Sequence, residues 1–445
     1  MTVVQAAARL VEALRETLGA DSVLTGVGAA AYRVLGAEPT AAVLPREEAD
    51  VSRTLAVAFR DGLGVVPWGG GAHQSLGRPP RRYDVALDLR HLNRVVAYEP
   101  ADMTATVQAG IRLADLQQRL GGAGQFWPLD PPLADRATVG GIVAASLAGP
   151  LRCRYGSVRD LVLGVRVAHA DGTVTKAGSR VVKNATAYDL TKLYAGSYGT
   201  LGVLLETTLR LQPRPAAERG WLLKGATIEQ CHDAATRILG SHLAPNRVEL
   251  LDEACADGCG IPQAGSTLIV SFAGVGEAVR DQGESVQTLA RDLGLNAAEI
   301  ENPGRIWGAL QDFPWRPAGT DTAEQRVLWR GSVLPSDCAK AMHAVRDAVS
   351  GCGEVAIAAT ASHGVLRGAL RATTSELAAR GVAAAREALT ALGGFLVVME
   401  SPEALRATLD VWGPVPAEVK WMRQIRYAFD AKAILNPGRF IDATP

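Results

Sequence analysis

Neither charge sign prevails in this 445-residue chain, which has 46 Lys and Arg against 46 Asp and Glu. With no global positive field, general nucleic-acid binding is not expected. No apolar run reaches the roughly 18 residues that a membrane span needs. Residues 2–18 place Val3, Ala7, Leu10, Val11, Leu14 and Leu18 at helical spacing with charges between. That pattern predicts an amphipathic surface helix rather than a signal peptide, so a cytoplasmic protein is expected, touching a membrane only through partner subunits. Clustered cysteine is also missing. Of Cys153, Cys231, Cys255, Cys259, Cys338 and Cys352, only Cys255 and Cys259 are close, and no C-x-x-C or histidine pair accompanies them. Reduced structural thiols are therefore expected, with no metal site and no iron–sulfur cluster. Two phosphate-binding signatures are absent as well: G-x-x-x-x-G-K-[ST], and G-x-G-x-x-G between a strand and a helix.

What the chain does have is mixed helix and strand in an α+β arrangement, long enough for two or three domains. Residues 41–44 read as a strand, 45–60 as a helix with Val51, Leu55 and Phe59 on one face, and 65–67 as a strand. Residues 161–170 and 173–177 read as a hairpin about Asp171-Gly172. A strand over 201–211 ends at Gln212-Pro213-Arg214-Pro215, which marks a boundary. Beyond it, strands at 268–272, 327–334, 355–359 and 395–399 alternate with helices such as 376–392, and 418–429 is a helix near the C-terminus. The expected division is 1–39 as an N-terminal helical segment, 40–215 as one domain, 216–410 as an α+β cap and 411–445 as a segment packing back on the first domain.

The chemistry lies in the glycines. Gly69, Gly70 and Gly71 follow a strand and precede Ala72, His73 and Gln74. Contiguous residues without Cβ can turn their N–H groups into one anion-binding concavity. A second cluster begins at Thr138, Val139, Gly140 and Gly141, where a helix N-terminus favours an anion, and runs through Ala144 and Ala145 to Gly149. Two such turns suggest one extended ligand held by main-chain amides.

In order, the motifs are G-G-G-A-x-x-x-x-G, D-P-P, T-V-G-G, A-G-P, Y-G-S-V-R-D-x-V-L-G, K-N-x-x-x-Y-D-L, G-S-x-G-x-L-G-V-x-x-E and a closing I-L-N-P-G-R-F. The series resembles the PCMH-type FAD-binding domain of the vanillyl-alcohol-oxidase superfamily. Residues 181–190 and 328–335 are most similar to the second FAD-binding subunit of bacterial glycolate oxidase. The resemblance implies a two-subdomain FAD-binding domain plus cap, with the diphosphate of FAD over residues 69–74 and 138–141. It places Pro131 and Gly149 in the same site, Tyr155, Gly156 and Ser157 near the isoalloxazine, and the adenine by Gly202 and Val203. Two departures matter. Trp68 stands where relatives usually carry arginine, and His73 lies one position beyond the histidine that tethers flavin in some of them. Non-covalent FAD is expected.

Metal-assisted relatives carry H-x-G-D-G-N-x-H in the cap, where this chain reads T-A-S-H-G-V-L-R, residues 360–367. Thr360 and Arg367 replace both metal histidines. Oxidation of a 2-hydroxy acid needs a base, for which His363 is the candidate. It also needs a cation for the carboxylate, for which Arg330 and Arg367 are the candidates. Three functions stay open. The first is an FAD-binding subunit of a glycolate or other 2-hydroxy-acid dehydrogenase complex, with a homologous FAD subunit and an iron–sulfur subunit as partners. The others are a self-sufficient FAD enzyme acting on a small alcohol or carboxylate, and a non-catalytic assembly subunit.

Overall fold

A computed structural model describes residues 3–178, 190–261, 265–316, 325–406 and 408–441. The first unit is built around the helix Glu48–Asp61, whose Val51, Leu55 and Ala58 are buried. Glu47 and Asp50 form a reciprocal capping box at its start, and Gly62, in the left-handed region at φ 69°, ends it. The helix joins Ala41–Val43 to Val65–Trp68, and both strands pair in parallel with Val85–Asp88 between them. Val23–Thr25 completes the sheet antiparallel to Ala41–Val43. The parallel crossover delivers the chain directly into Gly69 at a strand C-terminus.

The second sheet is antiparallel, in the order Val95–Glu99, Thr104–Gln108, Val203–Arg210, Val162–Ala168, Val174–Gly178. The expected hairpin turns at Gly172, where φ is +87° and a Cβ would fall 2.5 Å from the Ser52 carbonyl. Helix Val139–Ala145 buries Val139, Ile142 and Val143 in the core of this unit.

The third sheet has eight strands, in the order Asn296–Glu299, Ala217–Gly225, Ser266–Gly274, Arg247–Leu251, Glu354–Thr360, Val365–Ala372, Gln325–Ser332, Phe395–Glu400. Of these, 217–225, 247–251, 296–299 and 365–372 lie outside the strands expected from sequence. Alternation sorts the faces. Leu250, Val270 and Trp329 enter the core beneath Ile228–Leu239, Gly276–Asp292, Cys338–Val349 and Ser375–Ala391, whereas Leu251 and Ile269 enter a second cluster with Trp307 and Leu310. Arg330, next to Trp329, therefore points away from the main helical layer. The chain then returns to the first sheet: Val65 N–H donates to the Ile434 carbonyl (2.8 Å) and Asn436 N–H to the Val65 carbonyl (2.9 Å).

The D-P-P stretch makes the contact between the first two sheets and the eight-stranded one. Gln311 donates to the Pro131 carbonyl (3.0 Å), Asp312 accepts from Leu133 N–H (2.8 Å), and Arg316 pairs with Asp135 (2.9 Å). Asp130 accepts from Leu151 N–H (3.0 Å) and pairs with Arg247 at 3.4 Å, while Arg247 also engages Glu218. Burial outweighs those partners and pushes the Asp130 carboxyl up to about 6. The folded state then holds this proton more tightly than the unfolded chain. Its stabilising contribution is complete below about pH 4 and is lost as pH rises through about 6. The difference corresponds to about 3 kcal/mol. Asp130→Asn, which keeps an acceptor for Leu151, is expected to gain stability relative to the parent at pH 7.5 and not at pH 4.5. Urea unfolding at the two pH values checks this, and equal differences would exclude Asp130 as the titrating group.

Candidate functional site: a glycine-walled cleft and an adjoining cavity

The two glycine turns meet. A Cβ on Gly69 would lie 2.1 Å from Thr138 Oγ1, one on Gly70 would lie 1.6 Å from the Arg136 carbonyl, and one on Gly140 would lie 2.7 Å from Ala109 Cβ. No side chain fits at these three points, so the strand-end loop packs directly on the helix N-terminus. Thr138 caps that helix, its Oγ1 accepting from Gly141 N–H at 3.4 Å. At Gly141 a Cβ would meet only Thr138 Oγ1, at 3.3 Å, and its other side opens into a cleft of about 980 Å³.

That cleft is lined by Gly69, Gly70, Gly71, Ala72, His73, Gln74, Thr138, Gly140, Gly141, Ala144, Ala145, Gly202 and Val203, all expected from sequence. Trp68, Tyr198, Trp412, Asn436 and Arg439 add to them. No carboxylate lines it among the described residues. Val139 is turned into the core, and Gly149 lines a neighbouring cavity instead. Pro131 holds Gln311, and Tyr155 packs edge-on to Phe126 (5.7 Å); neither lines the cleft, nor do Gly156 and Ser157. Most of the motif at 181–190 lies outside the described residues.

The loop is held from behind by Arg439, from the closing I-L-N-P-G-R-F motif of the C-terminal segment. Its guanidinium donates to Gln74 Oε1 (2.6 Å), the Gln74 carbonyl (2.7 Å) and the Leu76 carbonyl (2.8 Å). Burial pulls this guanidinium down to about 10, which leaves it charged at neutral pH. These acceptors and a fourth, Asn436 Oδ1 at 3.4 Å, are neutral, so a buried positive charge stands at the cleft wall with no carboxylate bonded to it. His73 is half-buried and neutral, its pKa lowered by desolvation to about 4. Its Nε2 has no hydrogen-bond partner, although the ring lines the cleft. Converging amides, an uncompensated cation and an unpartnered ring nitrogen fit a long anionic dinucleotide with polar edges.

A second, smaller cavity opens between Pro132, Leu147, Ala148, Gly149 and Arg152 on the side of the first two sheets and Trp315, Trp329, Arg330, Thr360, Val365 and Arg367 on the other. Among the described residues Arg330 has no hydrogen-bond or ion-pair partner. Burial, together with Arg152 and Arg367, lowers its pKa, and Tyr198 of the cleft lies within its electrostatic reach. Arg367 is differently placed. It forms a buried pair with Glu249 (2.6 Å) and donates to the Leu310 and Phe313 carbonyls, which leaves only its Nε without a partner. Arg152 was not singled out from sequence, because only the fold carries it across to Arg330. His363 bonds through Nδ1 with Ser362 (2.8 Å) and does not line the cavity. Burial first, then Arg152, lowers its pKa and leaves it neutral at pH 7. Among the described residues no group of three or more His, Cys, Asp or Glu is placed to hold a metal, and no helix is long and apolar enough to cross a membrane.

Residues 39–178 match the family of FAD binding domains. A mitochondrial D-lactate dehydrogenase [cytochrome] of Arabidopsis thaliana is 34% identical over 287 residues, covering 62% of this chain and 50% of that protein. Glycolate oxidase subunit GlcE of Escherichia coli is 41% identical over 161 residues, covering 36% of this chain and 45% of that one. The chain thus spans about half the length of these curated relatives. Among solved structures, p-cresol methylhydroxylase superposes with a TM-score of 0.78 at 18% identity, covering 99% of this chain and 98% of that one. The match lies over the two glycine turns that shape the cleft, so residues 39–178 carry the FAD binding domain, on a fold shared with p-cresol methylhydroxylase.

Proposed function

We propose that this chain is the FAD-binding subunit of a dehydrogenase that oxidises a 2-hydroxy acid, with the substrate carboxylate held on Arg330. The observation that carries this reading is that the Arg330 guanidinium, which lines the cavity beside the cleft, has no partner among the described residues. A buried charge without a partner is costly, and a carboxylate would complete it bidentately. Relatives whose names state D-lactate dehydrogenase and glycolate oxidase support the substrate class. Bound FAD supplies the two-electron acceptor. The chain's own residues orient the substrate: Arg330 fixes one end, Trp315 and Val365 wall the cavity against water, and Arg367, locked on Glu249, holds the adjoining strand. His363 is neutral and therefore able to take a proton, but its place outside the cavity leaves the base role without geometric support.

Arg330→Met is expected to lower kcat/KM for glycolate or D-lactate by about 10–100-fold, the range for losing a charge-assisted contact, while flavin absorption at ~450 nm is retained. Unchanged kinetics would remove Arg330 from the substrate site.

The subunit role has its own support in the helix Val419–Phe429, which turns Arg426 inward and leaves Trp421 59% and Tyr427 54% exposed. An apolar outward face of this kind suits a protein partner. Native purification is expected to bring down a homologous FAD chain and an iron–sulfur chain. If the protein elutes alone and its flavin is bleached by substrate, the self-sufficient reading replaces this one. If the flavin is never bleached, alone or in its complex, the assembly role does.

A further inference from the structure

We propose, independently of any substrate, that Tyr198 contacts the flavin: its phenol hydroxyl donates a hydrogen bond to the isoalloxazine of bound FAD, and a strained turn at residues 198–199 holds it there.

Tyrosine is a costly choice for the backbone it occupies. Its φ is +52°, in the left-handed region, and Gly199 follows at +64°. A residue with a bulky side chain enters that region only when its surroundings enforce it, and such outliers gather at ligand sites. Here they are enforced from two sides. Tyr198 N–H donates to the Ala144 carbonyl (2.9 Å), and the Tyr198 carbonyl accepts from Asn436 Nδ2 (2.7 Å). The ring is fixed as well, with the ring centres of Trp412 at 5.1 Å and Phe440 at 4.8 Å.

A side chain so constrained leaves its polar end unused. Among the described residues the hydroxyl has no hydrogen-bond partner, and it is not sealed away, for the residue is half-buried and lines the cleft. Burial, offset in part by Arg330, raises its pKa, so it keeps its proton at neutral pH. The bond to Ala144 sets Tyr198 about one turn beyond Gly140 and Gly141 along the helix Val139–Ala145, past the amides that suit a diphosphate. At that end the cleft meets the apolar cluster of Leu76, Ala145, Leu147, Leu328, Ala369 and Met399, and Tyr198 packs against it. A large flat ring system is the part of FAD that suits an apolar end. The oxidised isoalloxazine carries acceptor atoms along its edges and a single N–H, so a donor is the matching group. A bond of this kind strengthens as charge arrives on the ring, and it favours the reduced cofactor over the oxidised one.

The test uses the full chain stripped of FAD and Tyr198→Phe, which keeps the ring and removes only the hydroxyl. FAD affinity, read from flavin fluorescence on titration, is expected to fall about 3–10-fold, the range for one hydrogen bond. ADP, which lacks the isoalloxazine, is expected to bind parent and variant equally. The two-electron reduction potential of the bound flavin, read against a reference dye, is expected to fall by about 30 mV, equivalent to a tenfold greater loss for the reduced cofactor. Weakened ADP binding with an unmoved potential would place the hydroxyl on the adenosine half and overturn the assignment, as would no change in any of the three. The turn is tested separately in the FAD-free protein. Tyr198→Gly is expected to melt about 2–4 °C above Tyr198→Ala, since both lose the ring and only glycine takes a positive φ freely. An alanine variant as stable as the glycine one would remove the strain, and with it the purpose given to the turn.

Discussion

Gly70→Ala is expected to yield folded protein that purifies without flavin. The added methyl carbon would sit 1.6 Å from the Arg136 carbonyl oxygen, a backbone atom that cannot swing aside as a side-chain tip can. The loop from Gly69 must therefore lift off the helix at Thr138, and the amides of the two turns no longer converge. Overpacking of this kind costs about 1–3 kcal/mol of stability, little enough for the three separate cores to survive. Cofactor binding is hit harder, since it depends on both turns at once, and the flavin-to-protein ratio should fall at least about 10-fold, consistent with losing one or more hydrogen bonds to a charged group. Gly308→Ala is the control: it lies in the helix Pro303–Asp312 with nothing within 4 Å of its Cβ, and should keep full flavin and gain slightly in stability. Full flavin occupancy in Gly70→Ala would refute the two-turn account of the cleft.

The contrast between these glycines explains how much was legible in the sequence. Contiguous glycine after a strand, and glycine in a helix's first turn, are costly choices unless the backbone needs the room, so Gly69, Gly70, Gly71, Gly140 and Gly141 stand out before any fold is known. The helix Glu48–Asp61, the strand Val65–Trp68 and the hairpin at Gly172 were legible for similar reasons, from periodicity and turn chemistry. The strands Arg247–Leu251 and Val365–Ala372 were not. They sit at the centre of an eight-stranded sheet with both faces covered, which removes the alternation that marks a half-exposed strand. Arg152 was missed because only the fold brings its short helix to the cavity that Arg330, 178 positions away, also lines. The bonds of Arg439 to Gln74 and Leu76 were hidden for the same reason, since they cross more than 360 positions of chain. A single sequence carries no local trace of such pairings.

Arg367 shows the same limit with a measurable consequence. By type and position it reads as a substrate clamp beside Arg330, and the two residues are indeed cross-strand partners. Its guanidinium is nevertheless taken by Glu249, 118 positions away, and by the Leu310 and Phe313 carbonyls. Arg367→Met leaves the Glu249 carboxylate wholly buried with only the Thr360 hydroxyl against it. Removing one partner of a buried pair costs about 3–5 kcal/mol, because the remaining charge keeps its full desolvation penalty. A fall of about 5–15 °C in the unfolding temperature is expected. Glu249→Gln combined with Arg367→Met removes both charges and keeps an acceptor for Thr360, so it should recover at least about half of that loss, and the non-additivity measures the pair directly. A residue that gripped substrate would behave in the opposite way: KM would rise, the unfolding temperature would hold, and the second substitution would rescue nothing. Thermal unfolding of the two single variants and the double variant, in the absence of any carboxylate ligand, therefore decides between a strut of the cavity wall and a part of the grip on substrate.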